Sequence, residues 1–266
     1  MFIFSEEHLK YLKKIKRERK MVFIGRAAII LFFLFIWEIL ARKGVLNPFL
    51  YSSPSRILST LVLLIKRGQL WKHIGITLYE VFLSFSLSSC LGIIIAYLLW
   101  QFHMVAKVVD PYLTILNSLP KVALGPLIII WMGAGINSII FMALLINIFT
   151  TIIHIYTGFL SVPNHYFIQL KSMKANSWQI FTKLVFPYNI ENIIATLKTN
   201  LSLSFIGVIM GELLVSKSGL GYLIMYGSQV FQLELVISSI FILGILSSIF
   251  YFLIDYILVW FQKKRN

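Results

Sequence analysis

Ionisable side chains inside long apolar stretches are the first candidates for chemistry in this sequence. Glu212 lies in the apolar run 193–215, where a charged group is costly unless it serves a function or finds a partner. Its carboxyl group could line a path for a polar solute, or it could be a helix-end carboxylate that is solvated or paired with Lys217. For Lys198, in the same run, a functional role is the less favoured interpretation. Its long side chain is expected to extend the ammonium group to the aqueous boundary.

Amide and hydroxyl side chains in the apolar runs form a second group of candidates. Such groups either hydrogen-bond between packed helices or present a polar surface. Prolines also interrupt the run 108–132, because proline removes a backbone donor. Of these, Pro120 and Pro126 could form a gate or a static kink. The candidate residues for a polar path are Pro120, Pro126, Asn147, Asn200, Ser204 and Glu212.

The sequence carries no arrangement of residues typical of covalent catalysis or of a metal site. Its five histidines are scattered, and its single cysteine, Cys90, lies within an apolar run. No G-x-x-x-x-G-K-[ST] motif is present to hold nucleotide phosphates. We therefore expect a protein that is not an enzyme and that itself binds no metal and no cofactor.

The composition indicates a membrane protein. Hydrophobic residues make up 59% of the 266 residues and charged residues only 13%, about half the charged fraction of a typical soluble domain. The apolar residues come in long unbroken runs rather than in short amphipathic stripes. The net charge of +14 gathers at the ends of these runs, as the positive-inside rule describes, so no nucleic-acid partner is expected.

Six runs are long enough, at roughly 20 residues, to cross a bilayer as helices. The sequence therefore predicts an all-α integral membrane protein with about six transmembrane helices. Three X-Pro steps make the third run irregular, and we interpret it as a kinked or interfacial segment that leads into a span around 122–132. The predicted spans are 22–41, 76–100, 108–132, 138–156, 193–215 and 233–261.

The placement of lysine and arginine predicts the orientation and the domain boundaries. Residues 1–21 form a basic tail suited to anionic membrane lipids, 22–262 a single transmembrane domain, and 263–266 a second basic tail. Both tails and the loop 157–192 are basic, so all three are assigned to the cytoplasm. We expect a multi-pass protein of the bacterial cell membrane with both termini cytoplasmic, although the segment after the first span is basic too.

The loop 157–192 contains an amphipathic segment at 168–187. Met173, Trp178, Phe181 and Leu184 recur near helical spacing, and Pro187 ends the pattern. A helix of this kind can lie on a lipid surface or dock in a groove of a soluble partner. The residue pattern leaves both alternatives open.

Five short motifs occur in an order that resembles a known family. They are PKVALGP at 120–126, WMGAG at 131–135, WQIF at 178–181 followed by Pro187, GVIMGE at 207–212 and SGLG at 218–221. The ordered set resembles the permease subunit of bacterial ABC importers of the nitrate, sulfonate and taurine type, from about Pro54 to the C-terminus. The resemblance implies a type I ABC importer (MetI-like) permease fold.

The resemblance also implies a role for the segment 168–187, as the loop that docks on a cytoplasmic ATPase and transmits its closure. The sequence departs from the family pattern at Ile168, Gln169 and Leu170, where the family has Glu and two Ala, and at Lys174, where it has Gly. Ala175, Trp178, Phe181 and Pro187 match. The predicted coupling residues are Lys171, Met173, Lys174, Ala175, Trp178, Phe181 and Pro187.

The partners implied by the resemblance supply what this chain lacks. A cytoplasmic ABC ATPase subunit would bind ATP and Mg²⁺, an extracytoplasmic solute-binding protein would deliver the substrate, and a second copy of the chain would complete the pore. The substrate implied is a small, anionic solute, and a vitamin precursor is the alternative. A stand-alone secondary transporter or facilitator is the alternative function, and it would show charged pairs at mid-membrane and inverted repeats.

Overall fold

Long apolar helices are the main elements of the structure, a computed structural model that describes residues 6–265. The packing of the helices divides the chain after Leu63 into two units. The first unit contains α1 (Glu6–Arg42), α2 (Pro48–Tyr51) and most of α3 (Pro54–Lys66). The second contains α4 (Gln69–Gln101), α5 (His103–Ser118), α6 (Gly125–Met132), α7 (Ile136–Leu160), α8 (Asn164–Ser172), α9 (Ser177–Ile180), α10 (Phe186–Tyr188), α11 (Ile190–Val215), α12 (Leu220–Gln229) and α13 (Leu233–Arg265).

Helix α1 is longer than a membrane is thick. Its 37 residues measure about 55 Å at 1.5 Å per residue, and the stretch long and apolar enough to span is Lys20–Arg42. From Glu6 onward, the basic segment predicted as a tail is therefore helical and continuous with the first span, whereas residues 1–5 lie outside the described residues. Arg42 pairs with Glu38, which also accepts a hydrogen bond from the Ser55 amide, so the end of α1 is tied to the start of α3.

Three helices, α4, α7 and α11, form the centre of the second unit, and α7 packs along both of the others. Small residues allow the close approach, as is common between membrane helices. A methyl group added at Gly207 of α11 would lie 2.5 Å from the Ala143 Cα of α7. Val81, Ile139 and Phe205 belong to the apolar cluster that these helices bury between them.

The prediction of about six transmembrane helices is confirmed. In the described part of the chain, five helices are long and apolar enough to cross a membrane, and a sixth span arises if α5 and α6 count as one. These two are joined through a 3₁₀ turn at Lys121–Leu124 and are bent by 82°. The bend falls at Pro120, which cannot continue the hydrogen-bond pattern of α5.

Candidate functional site

The segment 164–188 connects α7 to α11 at one end of the helix bundle. Helix α8 ends at Ser172 with Met173 as its C-cap, and Lys174 follows with φ 58°. This left-handed conformation is one that glycine adopts without strain. The resemblance places the family's glycine at this position, so the departure at Lys174 retains a glycine-like backbone turn.

Helix α9 begins with a reciprocal cap. The Gln179 amide donates to Asn176 Oδ1 at 2.8 Å, and the Asn176 amide donates to Gln179 Oε1 at 2.9 Å. The helix then widens into a π turn at Phe181–Val185. Pro187 lies two residues after the end of this turn. Because it has no N–H for the carbonyl four residues earlier, an ordinary helix could not continue unchanged.

Phe181 anchors this segment to the bundle. It is 7% exposed, and its ring centroid lies 4.5 Å from that of Tyr97 and 5.5 Å from that of Trp100, both on α4. It also meets Phe159 of α7 edge-on at 5.3 Å. Aromatic pairs at these separations stabilise beyond the area that they bury. Val185 is also fully buried in this cluster.

The opposite face of the segment is exposed and apolar. Ile168, Met173 and Trp178 are 68%, 74% and 59% exposed. Ala175 packs partly against the aromatic cluster, and the remaining predicted coupling residues, Lys171, Lys174 and Pro187, are exposed. The seven residues predicted for coupling thus lie on one short segment, with Phe181 as its buried anchor.

Polar side chains join the three central helices. The side-chain amide Nδ2 of Asn147 on α7 donates to Ser204 Oγ of α11 at 2.7 Å. The side-chain amide Nδ2 of Asn200 donates to Ser89 Oγ of α4 at 2.8 Å. Ser88 Oγ donates to Asn200 Oδ1 at 3.0 Å. The structure therefore brings together Asn147, Asn200 and Ser204 between the helices of this chain, where each is at most 1% exposed.

Pro120 and Pro126 lie apart from this group, exposed on the bent pair α5 and α6. The bend is fixed by Lys121, whose ammonium donates to the carbonyl and side-chain oxygens of Asn117 at 3.0 and 3.1 Å. Thr150 of α7 donates to the same Asn117 Oδ1 at 2.9 Å. The two prolines had drawn attention to the bend in the sequence, whereas these polar contacts had not been predicted.

Glu212 lies at the other end of the helix bundle and joins its helices by hydrogen bonds. It is 1% exposed rather than solvated, and it accepts hydrogen bonds from Thr77 Oγ1 of α4 at 2.6 Å and from the Gly221 amide of α12 at 2.5 Å. Gly219, with φ 117°, lies so close that an added Cβ would be 2.2 Å from Glu212 Oε1. The carboxyl group therefore joins α4, α11 and the start of α12.

Two further residues at this end were missed by sequence reasoning. Glu80 of α4 is fully buried beside Glu212, and the only signal for it was a carboxylate near the start of the apolar run 76–100. His73 accepts a hydrogen bond from the Gly219 amide at 2.9 Å and stacks on Tyr222. Nearer the other end of α11, Lys198, predicted to reach the aqueous boundary, pairs with Asp255 of α13, whose side chain is 44% exposed.

Comparison with known proteins adds relatives along most of the chain. Residues 88–266 match the family described as binding-protein-dependent transport system inner membrane component. A protein of Haemophilus influenzae named Probable ABC transporter permease protein is 29% identical over 85% of this chain and 91% of its own. The formylaminopyrimidine transport permease ThiX of Halalkalibacterium halodurans is 31% identical over 81% of this chain and 87% of its own length. The aliphatic sulfonates transport permease SsuC of Bacillus subtilis is 28% identical over 80% of this chain and 78% of its own length.

Solved structures share the fold. A chain of the MetNI methionine ABC transporter, captured in an inward-facing conformation, superposes with a TM-score of 0.65 at 19% identity, covering 72% of this chain and 95% of that one. A chain of a bacterial ABC transporter involved in the import of the acidic polysaccharide alginate gives a TM-score of 0.63 at 14% identity. The superposition covers 94% of this chain and 98% of that one. The arrangement of helices is thus that of MetI-type importer permeases.

Proposed function

Because this chain belongs to the family of inner-membrane components of binding-protein-dependent transport systems and is a permease subunit of an ABC importer, we propose that it moves a small anionic solute across the bacterial cell membrane by alternating access. The observation that carries the proposal is the segment 164–188, which is anchored on one face and exposes apolar side chains on the other. Such a face suits docking into a groove of a soluble partner.

The proposed partner at this segment is a cytoplasmic ABC ATPase. Trp178 and Met173 present apolar side chains to it, and Lys171 and Lys174 surround them with positive charge. The ATPase supplies ATP and Mg²⁺, since this chain has no phosphate-binding motif. The proposal accordingly assigns the segment, and with it both chain termini, to the cytoplasm.

The aromatic anchor is the proposed route by which ATPase closure reaches the membrane helices. Phe181 touches α4 through Tyr97 and Trp100 and touches α7 through Phe159. Those two helices are joined to α11 by the buried amide and hydroxyl groups described above. A displacement of the segment is therefore passed to helices that are packed and hydrogen-bonded as one body.

The solute path is proposed to run along α11, between this chain and a second copy of it. Thr199, Ser202, Ile206 and Met210 form an exposed stripe along α11 at helical spacing. Of the residues predicted for the path, the buried Asn147, Asn200, Ser204 and Glu212 hold α11 in place behind that stripe. The exposed Pro120 and Pro126 lie on the bent pair, which is suited to movement at the side of the path.

An anionic substrate is supported by the aliphatic sulfonates permease among the relatives, whereas ThiX supports a vitamin precursor as the alternative. The proposed system also includes a solute-binding protein on the outer face. The test is uptake by proteoliposomes that contain this chain, its ATPase and its binding protein, with an alkanesulfonate, taurine, nitrate and formylaminopyrimidine as competing solutes. Uptake that needs an ion gradient but no ATP would overturn the proposal in favour of a stand-alone secondary transporter.

A further inference from the structure

Glu80 is a second buried carboxyl group, and the transport mechanism above makes no use of it. Glu80 of α4 is fully buried and directly beside Glu212 of α11. Neither Glu80 oxygen accepts a hydrogen bond from the part of the chain that the structure describes. Among the side chains that the structure describes, no lysine or arginine acts on either carboxyl group at close range.

The hydrogen-bond donors around Glu212 fix its chemical form. Thr77 Oγ1 accepts the Leu220 N–H at 2.8 Å, so the hydroxyl proton of Thr77 is directed to Glu212 Oε1 at 2.6 Å. The Gly221 N–H can only donate, and it does so to Glu212 Oε2 at 2.5 Å. Both oxygens of Glu212 therefore act as acceptors, which stabilises the carboxylate more than the acid, whose hydroxyl oxygen is the weaker acceptor.

Glu80, the remaining neighbour of the Glu212 carboxylate, must then donate a hydrogen bond to it as well. Two carboxylates in contact, buried and without a cation, repel each other and cannot both be ionised. A carboxylic acid, by contrast, has one O–H donor. We propose that Glu80 carries a proton and donates it in a hydrogen bond to the Glu212 carboxylate, so that this pair is a proton-binding site joining α4, α11 and α12.

The site is built into the corner where α11 turns into α12. Its single negative charge, on Glu212, faces the backbone N–H groups that begin the ten-residue helix α12, where a negative charge is favourable. His73 of α4 and Tyr222 of α12 are the titratable groups stacked at the same corner, and Lys72 and Lys217 follow in the adjoining chain. His73 uses Nδ1 to accept the Gly219 N–H, so its own N–H lies on the other nitrogen.

The inference predicts opposite results for two conservative changes. In Glu80→Gln the amide N–H replaces the acid O–H as a donor, so the yield of folded, monodisperse protein stays within about twofold of wild type. In Glu212→Gln an amide N–H₂ faces the donors of Thr77 or Gly221, and the yield falls roughly tenfold. Glu191→Gln, at an exposed carboxyl group in the first turn of α11, is the matched control and leaves the yield unchanged.

Infrared spectroscopy tests the proton directly and does not depend on the folding of Glu212→Gln. With ¹³C-labelled glutamate, wild type at neutral pH shows the C=O stretching band of a protonated carboxylic acid. Glu80→Gln removes this band, and Glu191→Gln keeps it. Persistence of the band in Glu80→Gln would overturn the assignment. A wild-type spectrum without the band would overturn it too, and a stability that depends on Na⁺ would then indicate that a metal ion holds the two carboxylates together. Loss of folding in Glu80→Gln with normal folding of Glu212→Gln would also overturn it.

Discussion

Replacement of Phe181 by alanine separates the anchoring face of the segment 164–188 from its docking face. The Phe181 ring is 7% exposed and lies within 4.5–6.2 Å, between ring centroids, of five aromatic neighbours. Truncation of a buried phenylalanine costs about 3–5 kcal/mol. We expect about 3 kcal/mol, the lower end, because the segment can partly relax. This corresponds to roughly a 150-fold shift of the segment from the packed to the detached state.

Trypsin digestion of the detergent-solubilised chain without its ATPase measures this shift. Lys171, Lys174 and Lys183 are exposed on the segment and become cleavable when it detaches. Phe181→Ala is therefore cleaved much faster than wild type. Trp178→Ala is cleaved at close to the wild-type rate, because its side chain is 59% exposed and meets only the outer edge of the cluster, at Tyr97 and Phe181.

Both variants lose the ATPase in co-purification, for different reasons. Phe181→Ala loses the shape of the docking face, and Trp178→Ala loses a contact on it. Phe181→Leu keeps most of the buried volume and serves as the matched control, with near wild-type resistance to trypsin. A trypsin-resistant Phe181→Ala, or a rapidly cleaved Trp178→Ala, would refute the division of the segment into two faces.

Three further changes test other parts of the structure. Lys174→Gly keeps ATPase binding, since φ 58° suits glycine, whereas Lys174→Val weakens it; equal binding by both would contradict the turn. Gly219→Ala lowers the thermal midpoint of the purified chain because its Cβ would meet Glu212 at 2.2 Å, but Gly135→Ala, which has extended φ and open space, does not. Asp255→Ala leaves the partly buried Lys198 unpaired and costs about 1 kcal/mol in thermal unfolding, and the charge exchange Lys198→Asp with Asp255→Lys recovers part of this loss; no recovery would refute the pairing.

The spans were predictable from the sequence because a helix in a bilayer must be apolar over its whole length. The bend at Pro120 was predictable for a local reason too, since the proline itself breaks the hydrogen-bond pattern. The spacing of Trp178 and Phe181 also predicted one amphipathic segment. It could not tell which of these side chains faces inward, because both are aromatic and only the neighbouring helices decide.

Pairings between distant helices were beyond the sequence. The approach of Glu80 to Glu212, and of Lys198 to Asp255, depends on how each helix is rotated about its own axis. That rotation is set by the sum of many small contacts, such as the close approach at Gly207, and no single motif encodes it. For the same reason, the sequence left open whether Asn147 lines a path or joins helices.

The division of the segment 164–188 into a buried and an exposed face has an evolutionary consequence. Three of the four departures from the family pattern, at Ile168, Gln169 and Lys174, fall on exposed positions. The fourth, Leu170, is half-buried and stays apolar against the aromatic cluster, and the matching Phe181 is the buried anchor. Substitutions can therefore accumulate on the partner-facing side without loss of the connection to the membrane helices. A permease built in this way can drift toward a different ATPase one surface residue at a time and remain folded at every step.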